Sequence, residues 1–330
     1  MPLSTLSSYA INAVTSVFLF LFGWILRLMD PKHDLPYATP SRVPPDPSLF
    51  PRYFQNKQGI WLHWSEWATP KAPIGVVFLV GGLGEHTARY DALAFLLVEQ
   101  GYRCFCLDHQ GQGGSEGDRS YVEHFHDYVD DMQLFVRRTF ALHPDLESLP
   151  RFVLGHSMGG LITVHLAYRD PRYWNGVVLS GAALQPDPKL ATPFMKTMAA
   201  IFSDFLPKLA IERLNTNLIS TNRPVVEFAI QDPLYPKTKM KARWGHEMLT
   251  AMEEVWTNIG SSTFPVLLVH GKDDRICMVE GSKRFYELAA TKEKTFREYK
   301  DMYHEVLTES NRRAVIQDIL SFLTKCRRPL

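Results

Sequence analysis

Along much of the chain, short continuous apolar runs alternate with longer stretches whose apolar residues recur at helical spacing. The runs IGVVFLV (residues 74–80), YRCFCLD (102–108), RFVLG (151–155), GVVLS (176–180) and PVLLVHG (265–271) are rich in Val, Leu and Phe. A strand with one wet face alternates apolar and polar residues, so unbroken runs imply strands covered on both faces, as in a parallel sheet. Helix-like segments separate them: DALAFLLVEQ (91–100), a long stretch from Val122, and one opening at Met158. The pattern predicts an α/β fold with a mostly parallel central sheet and helices on both faces.

The alternation stops between residues 184 and 263, where Phe194, Met195, Met198, Ile201, Phe202 and Phe205 mark an apolar, Met-rich helical segment. This reads as a cap inserted into a core formed by residues 58–183 and 264–330. At the other end, no side-chain charge occurs from Met1 to Leu26, and residues 9–29 are long enough at 1.5 Å per residue to cross a hydrocarbon layer of about 30 Å. Residues 1–30 are therefore expected to anchor the protein in a membrane. Arg27, Lys32 and Arg42 follow the segment with nothing basic before it, which leaves the main domain on the cytosolic side. The other reading is a cleaved secretory signal, although a basic start and a small-residue cleavage site are missing. Residues 31–57 hold seven prolines, which fix φ and remove backbone donors, so this stretch reads as a tether without helix or central strand.

Composition narrows the function. The 36 Lys and Arg nearly cancel the 35 Asp and Glu, which leaves no field to attract nucleic acid. Four cysteines in 330 residues are too few for a disulfide framework. Cys104 and Cys106 lie two apart in an apolar run, on one face of a strand, and read as packing residues.

The candidate chemistry starts at FVLGHSMGG (residues 152–160), a strand followed by Gly155-His156-Ser157-Met158-Gly159 and an apolar helix. A G-x-S-x-G turn between strand and helix exposes the serine hydroxyl at the edge of the sheet, beside a helix N-terminus. Serine is a weak nucleophile near neutral pH and needs a base, which in turn needs an acid to orient it. The acid belongs in the loop after PVLLVHG, where Asp273 and Asp274 compete. His304 follows the last strand-like run, KTFREY, and a short turn, and is the candidate base. His156 alternates away from the reacting atom and reads as packing support. The oxyanion requires backbone N–H donors, assigned to Met158 and to Leu83 in the loop GGLGEH (81–86).

With GHSMGG, GGLGEH, DHQGQGGSEG, GDRSYV and the pair GKDDRIC and YHE in this order, residues 58–325 resemble the monoglyceride lipase and lysophospholipase family of α/β-hydrolases, a serine aminopeptidase S33-like group. The resemblance implies a capped α/β-hydrolase domain, no cofactor or metal, a nucleophile at Ser157 and a base at His304. In the family the acid directly precedes an Arg-hydrophobic-Cys sequence, which selects Asp274 before Arg275-Ile276-Cys277 and puts Cys277 near the pocket. A single-chain lipid ester, foremost a monoacylglycerol, is the implied substrate, with lysophospholipids, other esters and thioesters as alternatives and a non-catalytic membrane scaffold as a reading of a different class. The chain departs from the family at Gly81, where His is usual and would help fix the loop, and at Gln112, again in place of His.

Overall fold

The computed structural model describes residues 52–188, 191–235 and 239–327. The segment 1–30 read as a membrane anchor lies outside them, as does most of the Pro-rich stretch. Among the described residues no helix is long and apolar enough to cross a membrane.

Eight strands form one sheet: β1 (Tyr53–Gln55), β2 (Trp61–Trp67), β3 (Gly75–Val80), β4 (Tyr102–Leu107), β5 (Arg151–His156), β6 (Gly176–Ser180), β7 (Val266–Gly271) and β8 (Lys294–Tyr299). Their spatial order is β1-β2-β4-β3-β5-β6-β7-β8. β1 pairs antiparallel with β2 and β2 with β4, and every later pairing is parallel. The five apolar runs are β3 to β7, the middle of the sheet. The Pro-rich stretch, read as reaching residue 57, gives way to an edge strand at Tyr53. β1 and β2 escape a search for apolar runs because they lie at the margin, where WLHWSEW can mix polar with buried residues.

The helices are α1 (Asp91–Glu99), α2 (Phe125–Leu142), α3 (Met158–Arg169), α4 (Pro193–Phe205), α5 (Arg223–Gln231), α6 (Ala242–Thr257), α7 (Val279–Leu288) and α8 (Arg313–Cys326). Successive strand side chains point to opposite faces, so an unbroken apolar strand supplies two cores. On one face Val77, Leu79, Leu154, Val178 and Leu267 pack with Leu93 and Leu97 of α1 and Val315, Ile319 and Leu323 of α8. Cys104 and Cys106 are both buried on this face. On the other, Val76, Phe78, Phe105, Val153 and Val177 meet Phe135 of α2, Leu161 of α3 and Val255 of α6.

The chain between β6 and β7 carries α4, α5 and α6. α4 starts where Thr192 accepts a hydrogen bond from the Met195 N–H at 3.3 Å, with Pro193 in the first turn where its missing donor does no harm. Its Phe194 and Phe205 are 71% and 80% exposed, so much of the apolar stripe seen in the sequence faces outward.

Phe78 is fully buried, with the rings of Phe105, Phe135, Phe140 and Trp174 all centred within 6.0 Å of its own. Phe78→Ala is expected to lower the unfolding free energy by about 3–5 kcal/mol, read from the denaturant midpoint at unchanged slope.

Candidate active site

Ser157 separates β5 from α3 and holds φ +55°, ψ −121°, a left-handed backbone rare outside glycine. Its neighbours make the turn possible. A Cβ on Gly155 would lie 2.3 Å from both the Gly159 carbonyl oxygen and Thr163 Oγ1, and one on Gly159 would lie 2.1 Å from the Val80 carbonyl oxygen. The Ser157 N–H donates to the Ser180 carbonyl at 3.0 Å, and the Ser157 carbonyl accepts from Ala183 N–H at 3.0 Å, which fastens the turn to the end of β6. The hydroxyl lies 3.9 Å from Cys277 Sγ.

The loop after β7 separates the two aspartates. Asp273 is exposed and accepts from the Asp301 N–H at 3.1 Å. Asp274 turns inward: its fully buried carboxylate accepts from His304 Nδ1 at 2.8 Å and lies 3.1 Å from His270 Nε2, while its other oxygen accepts the Ile276 and Cys277 N–H groups at 2.8 and 3.0 Å. Burial works to raise its pKa, but the charge on His304 and the His270 and His304 bonds outweigh it and hold the carboxyl well below the usual range. An ionised carboxylate can only accept, so the His304 proton resides on Nδ1 and Nε2 keeps the lone pair of a base. Burial opposes a charged His304, yet the Asp274 charge and hydrogen bond raise its pKa above 6.5.

His270 was not distinguished among the 12 histidines by the sequence. It is buried, with Nδ1 2.8 Å from Ser282 Oγ and Nε2 3.1 Å from the Cys277 carbonyl. Its only signal is its place at the end of PVLLVHG, immediately before the acid loop. His156 packs its ring 4.6 Å from that of His304 and bonds the Ser180 carbonyl through Nδ1 at 3.0 Å. Burial pushes it down to about 4, so it is a neutral support for the base.

The loop after β3 answers the question raised by Gly81. Glu85 accepts the Gly82 N–H at 2.6 Å and the Tyr90 hydroxyl at 2.7 Å, and Gln112 accepts the Gly84 N–H at 3.0 Å. These bonds clamp the loop on both sides of Leu83, with Gln112 doing so from a fully buried position. Burial disfavours the Glu85 charge, but the His156 and Arg89 side chains and the Gly82 and Tyr90 donors hold its pKa at about 2. Among the described residues neither the Leu83 nor the Met158 N–H is engaged by another protein group, as an oxyanion site requires.

Ser157, Met158, Leu83, His304 and Cys277 border one cavity of about 210 Å³. Its roof is apolar, with Leu214, Ile219, Met240, Trp244, Met248 and Met252 contributed by the segment between β6 and β7. Glu85 and Glu305 give the lower part its polar edge.

A family model described as serine aminopeptidase, S33, matches residues 71–311. The chain belongs to this family. Its α/β-hydrolase fold is shared with the monoacylglycerol lipase of Paleococcus ferrophilus, whose crystal structure superposes with a TM-score of 0.70 at 30% identity over 80% of this chain and 99% of that one. Human monoglyceride lipase is 32% identical over 83% of this chain and 88% of its own length. The monoacylglycerol lipase of Mycolicibacterium smegmatis is 30% identical over 82% of this chain and 95% of its own. In this S33 hydrolase the buried bonds of Asp274 and the exposed position of Asp273 assign them different work. Asp274→Asn is expected to cut ester turnover by about 10⁴-fold, by the precedent of the triad acid, and Asp273→Asn to leave it essentially unchanged, as initial rates on a p-nitrophenyl ester would show.

Proposed function

We propose that the chain is a serine ester hydrolase whose substrate is a monoacylglycerol. Ser157 attacks the ester carbonyl while Nε2 of His304 takes the hydroxyl proton, which requires the hydroxyl to exchange its Cys277 contact for one with the base. The Leu83 and Met158 N–H groups hold the tetrahedral oxyanion. His304 then protonates the departing glycerol oxygen, leaving the acyl group on Ser157. Water, deprotonated by the same histidine, releases the fatty acid and restores the serine.

The observation that carries the substrate is the lining of the cavity. Its roof is apolar, of aliphatic, thioether and indole groups suited to an acyl chain, and among the described residues that line it there is neither Lys nor Arg. Arg89 lies close by but is held between Glu85 and Glu305, at 3.6 and 2.6 Å. A phosphate head group would meet carboxylates without a free cation, whereas glycerol hydroxyls can bond to them. The relatives named as monoglyceride and monoacylglycerol lipases agree with that choice.

Membrane association is part of the same proposal. The apolar segment 9–29 would hold the protein at a bilayer with the domain on the cytosolic side, and the exposed Phe194, Met195, Ile201 and Phe205 of α4 would turn toward the lipid from which substrate arrives.

The test is fatty-acid release by the full chain in detergent from a monoacylglycerol and from lysophosphatidylcholine, beside Ser157→Ala. Faster release from the monoacylglycerol, reduced about 1000-fold or more in the variant, is expected. Faster release from the lysophospholipid would overturn the substrate, and turnover that survives Ser157→Ala would overturn the mechanism. The kcat/KM of the wild type should fall with pH below an inflection above 6.5, because the raised His304 pKa leaves the base protonated there, and Asp274→Asn should move that inflection downward.

A further inference from the structure

Three helices bring together nitrogen and oxygen donors that do not line the ester cavity. His126 is the second residue of α2, His165 lies on α3 eight residues beyond Ser157, and Glu254 lies on α6. Glu254 is two residues past the cavity-lining Met252, and at about 100° per residue it therefore projects from a different side of the helix.

His126 Nε2 stands 2.8 Å from Glu254 Oε2, and His165 Nδ1 stands 4.0 Å from the same oxygen. One donor atom from each of the three residues lies within 4.8 Å of the others. The two imidazole rings are 5.0 Å apart and nearly perpendicular, at 84°, an edge-to-face arrangement.

His165 decides how this cluster is read. An ion pair between His126 and Glu254 would need no third member, and a buried histidine that serves only for packing could turn either nitrogen inward. His165 instead bonds the Ala251 carbonyl through Nε2 at 3.0 Å. A carbonyl only accepts, so Nε2 carries the proton and Nδ1 presents its lone pair toward Glu254. A backbone carbonyl that fixes the tautomer of a histidine from behind is the usual support of a metal ligand.

We propose that His126, His165 and Glu254 bind a divalent transition-metal ion of the zinc class, with water completing the coordination. Two imidazoles and one carboxylate suit zinc and its neighbours and not calcium or magnesium, which take oxygen ligands. Zn–N bonds of about 2.0–2.1 Å place tetrahedral donors roughly 3.3 Å apart, so the donors must draw in by up to about 1.5 Å. His126 and Glu254, 49% and 39% exposed, can rotate to do so, while His165, 4% exposed, stays fixed. The bound ion would tie α6, which roofs the acyl cavity, to α2 and to α3, which begins at the nucleophile. It stabilises the fold and takes no part in ester cleavage.

The test uses the full chain, freed of metal with a chelator and then equilibrated with zinc alone. One equivalent of zinc should remain after dialysis, and the melting temperature should rise by about 5 °C at a hundredfold excess over the dissociation constant. Cobalt(II) should give visible d–d absorption of a tetrahedral site. His126→Ala and Glu254→Gln, each at a position exposed enough to tolerate the change, should lose the zinc and the thermal shift while ester turnover is unaffected. A chain that retains no zinc overturns the proposal, as does retention of the same zinc and the same thermal shift by both variants. Because turnover of the ester is read separately, failure here leaves the hydrolase reading intact.

Discussion

The contact of Gly159 with the end of β3 is the constraint on which the site depends. A Cβ at this position would lie 2.1 Å from the Val80 carbonyl oxygen and 2.5 Å from that of Gly81, so α3 meets the strand backbone to backbone. The loop leaving β3 consequently passes directly over Ser157: a Cβ on Gly82 would come within 2.9 Å of the Ser157 Cβ. Close approach of main chains, with Glu85 and Gln112 holding the loop at Gly82 and Gly84, therefore brings Leu83 and Met158 to one cavity. Donors fixed in this way need not reorganise when charge develops, which is the condition for electrostatic catalysis.

Charge is buried around that backbone, and its partners determine its protonation. Burial works to raise the pKa of Asp274, Glu85 and Asp131 alike. Asp131, 4% exposed and bonded to the amides of Asn56 and Gln110, is pushed up to about 7. Glu85 has Arg89 nearby and Asp274 has two histidines, and both carboxyls are held low. At Asp131 neutral amides thus compensate desolvation only in part, whereas at Asp274 and Glu85 several charged and hydrogen-bonding partners together reverse it. Asp274 and Glu85 are of the second kind, whereas at Glu305, on the same cavity, burial outweighs the Arg89 charge and the pKa is raised.

What could be read in the sequence follows from range. The strands β3 to β7 show because burial on both faces is written as a continuous apolar run, and the elbow shows because its glycines are adjacent. Asp273 and Asp274 could not be told apart by local chemistry; the difference between them is made by His304, thirty positions away, and by His270. Gln112 stands out in the sequence only as a departure from the family, and its support of the loop is not legible there because the fold must close before it meets Gly84, 28 residues distant. Gly81 looked like a loss when the loop was considered alone. With Glu85 and Gln112 in place, the loop is held from Gly82 and Gly84 without a side chain at position 81.

The segment between β6 and β7 is bonded to the loops that carry His304 and Leu83, so the lining of the cavity and the placement of these residues are not independent. The Glu305 N–H, next to His304, donates to the Ile219 carbonyl at 2.7 Å. The buried Glu309 accepts from Thr221 N–H and from Tyr303 N–H, each at 2.9 Å, and so joins the start of α5 to the residue preceding His304. On the other side His86 of the oxyanion loop bonds Asp232, at the end of α5, over 2.7 Å with both side chains almost fully buried. Ile219 itself lines the cavity. The segment that supplies Ile219 to the cavity is thus bonded both to the residues flanking His304 and to the loop that carries Leu83. Removing buried hydrogen-bond partners is costly, so these bonds hold the segment and the two loops in one arrangement.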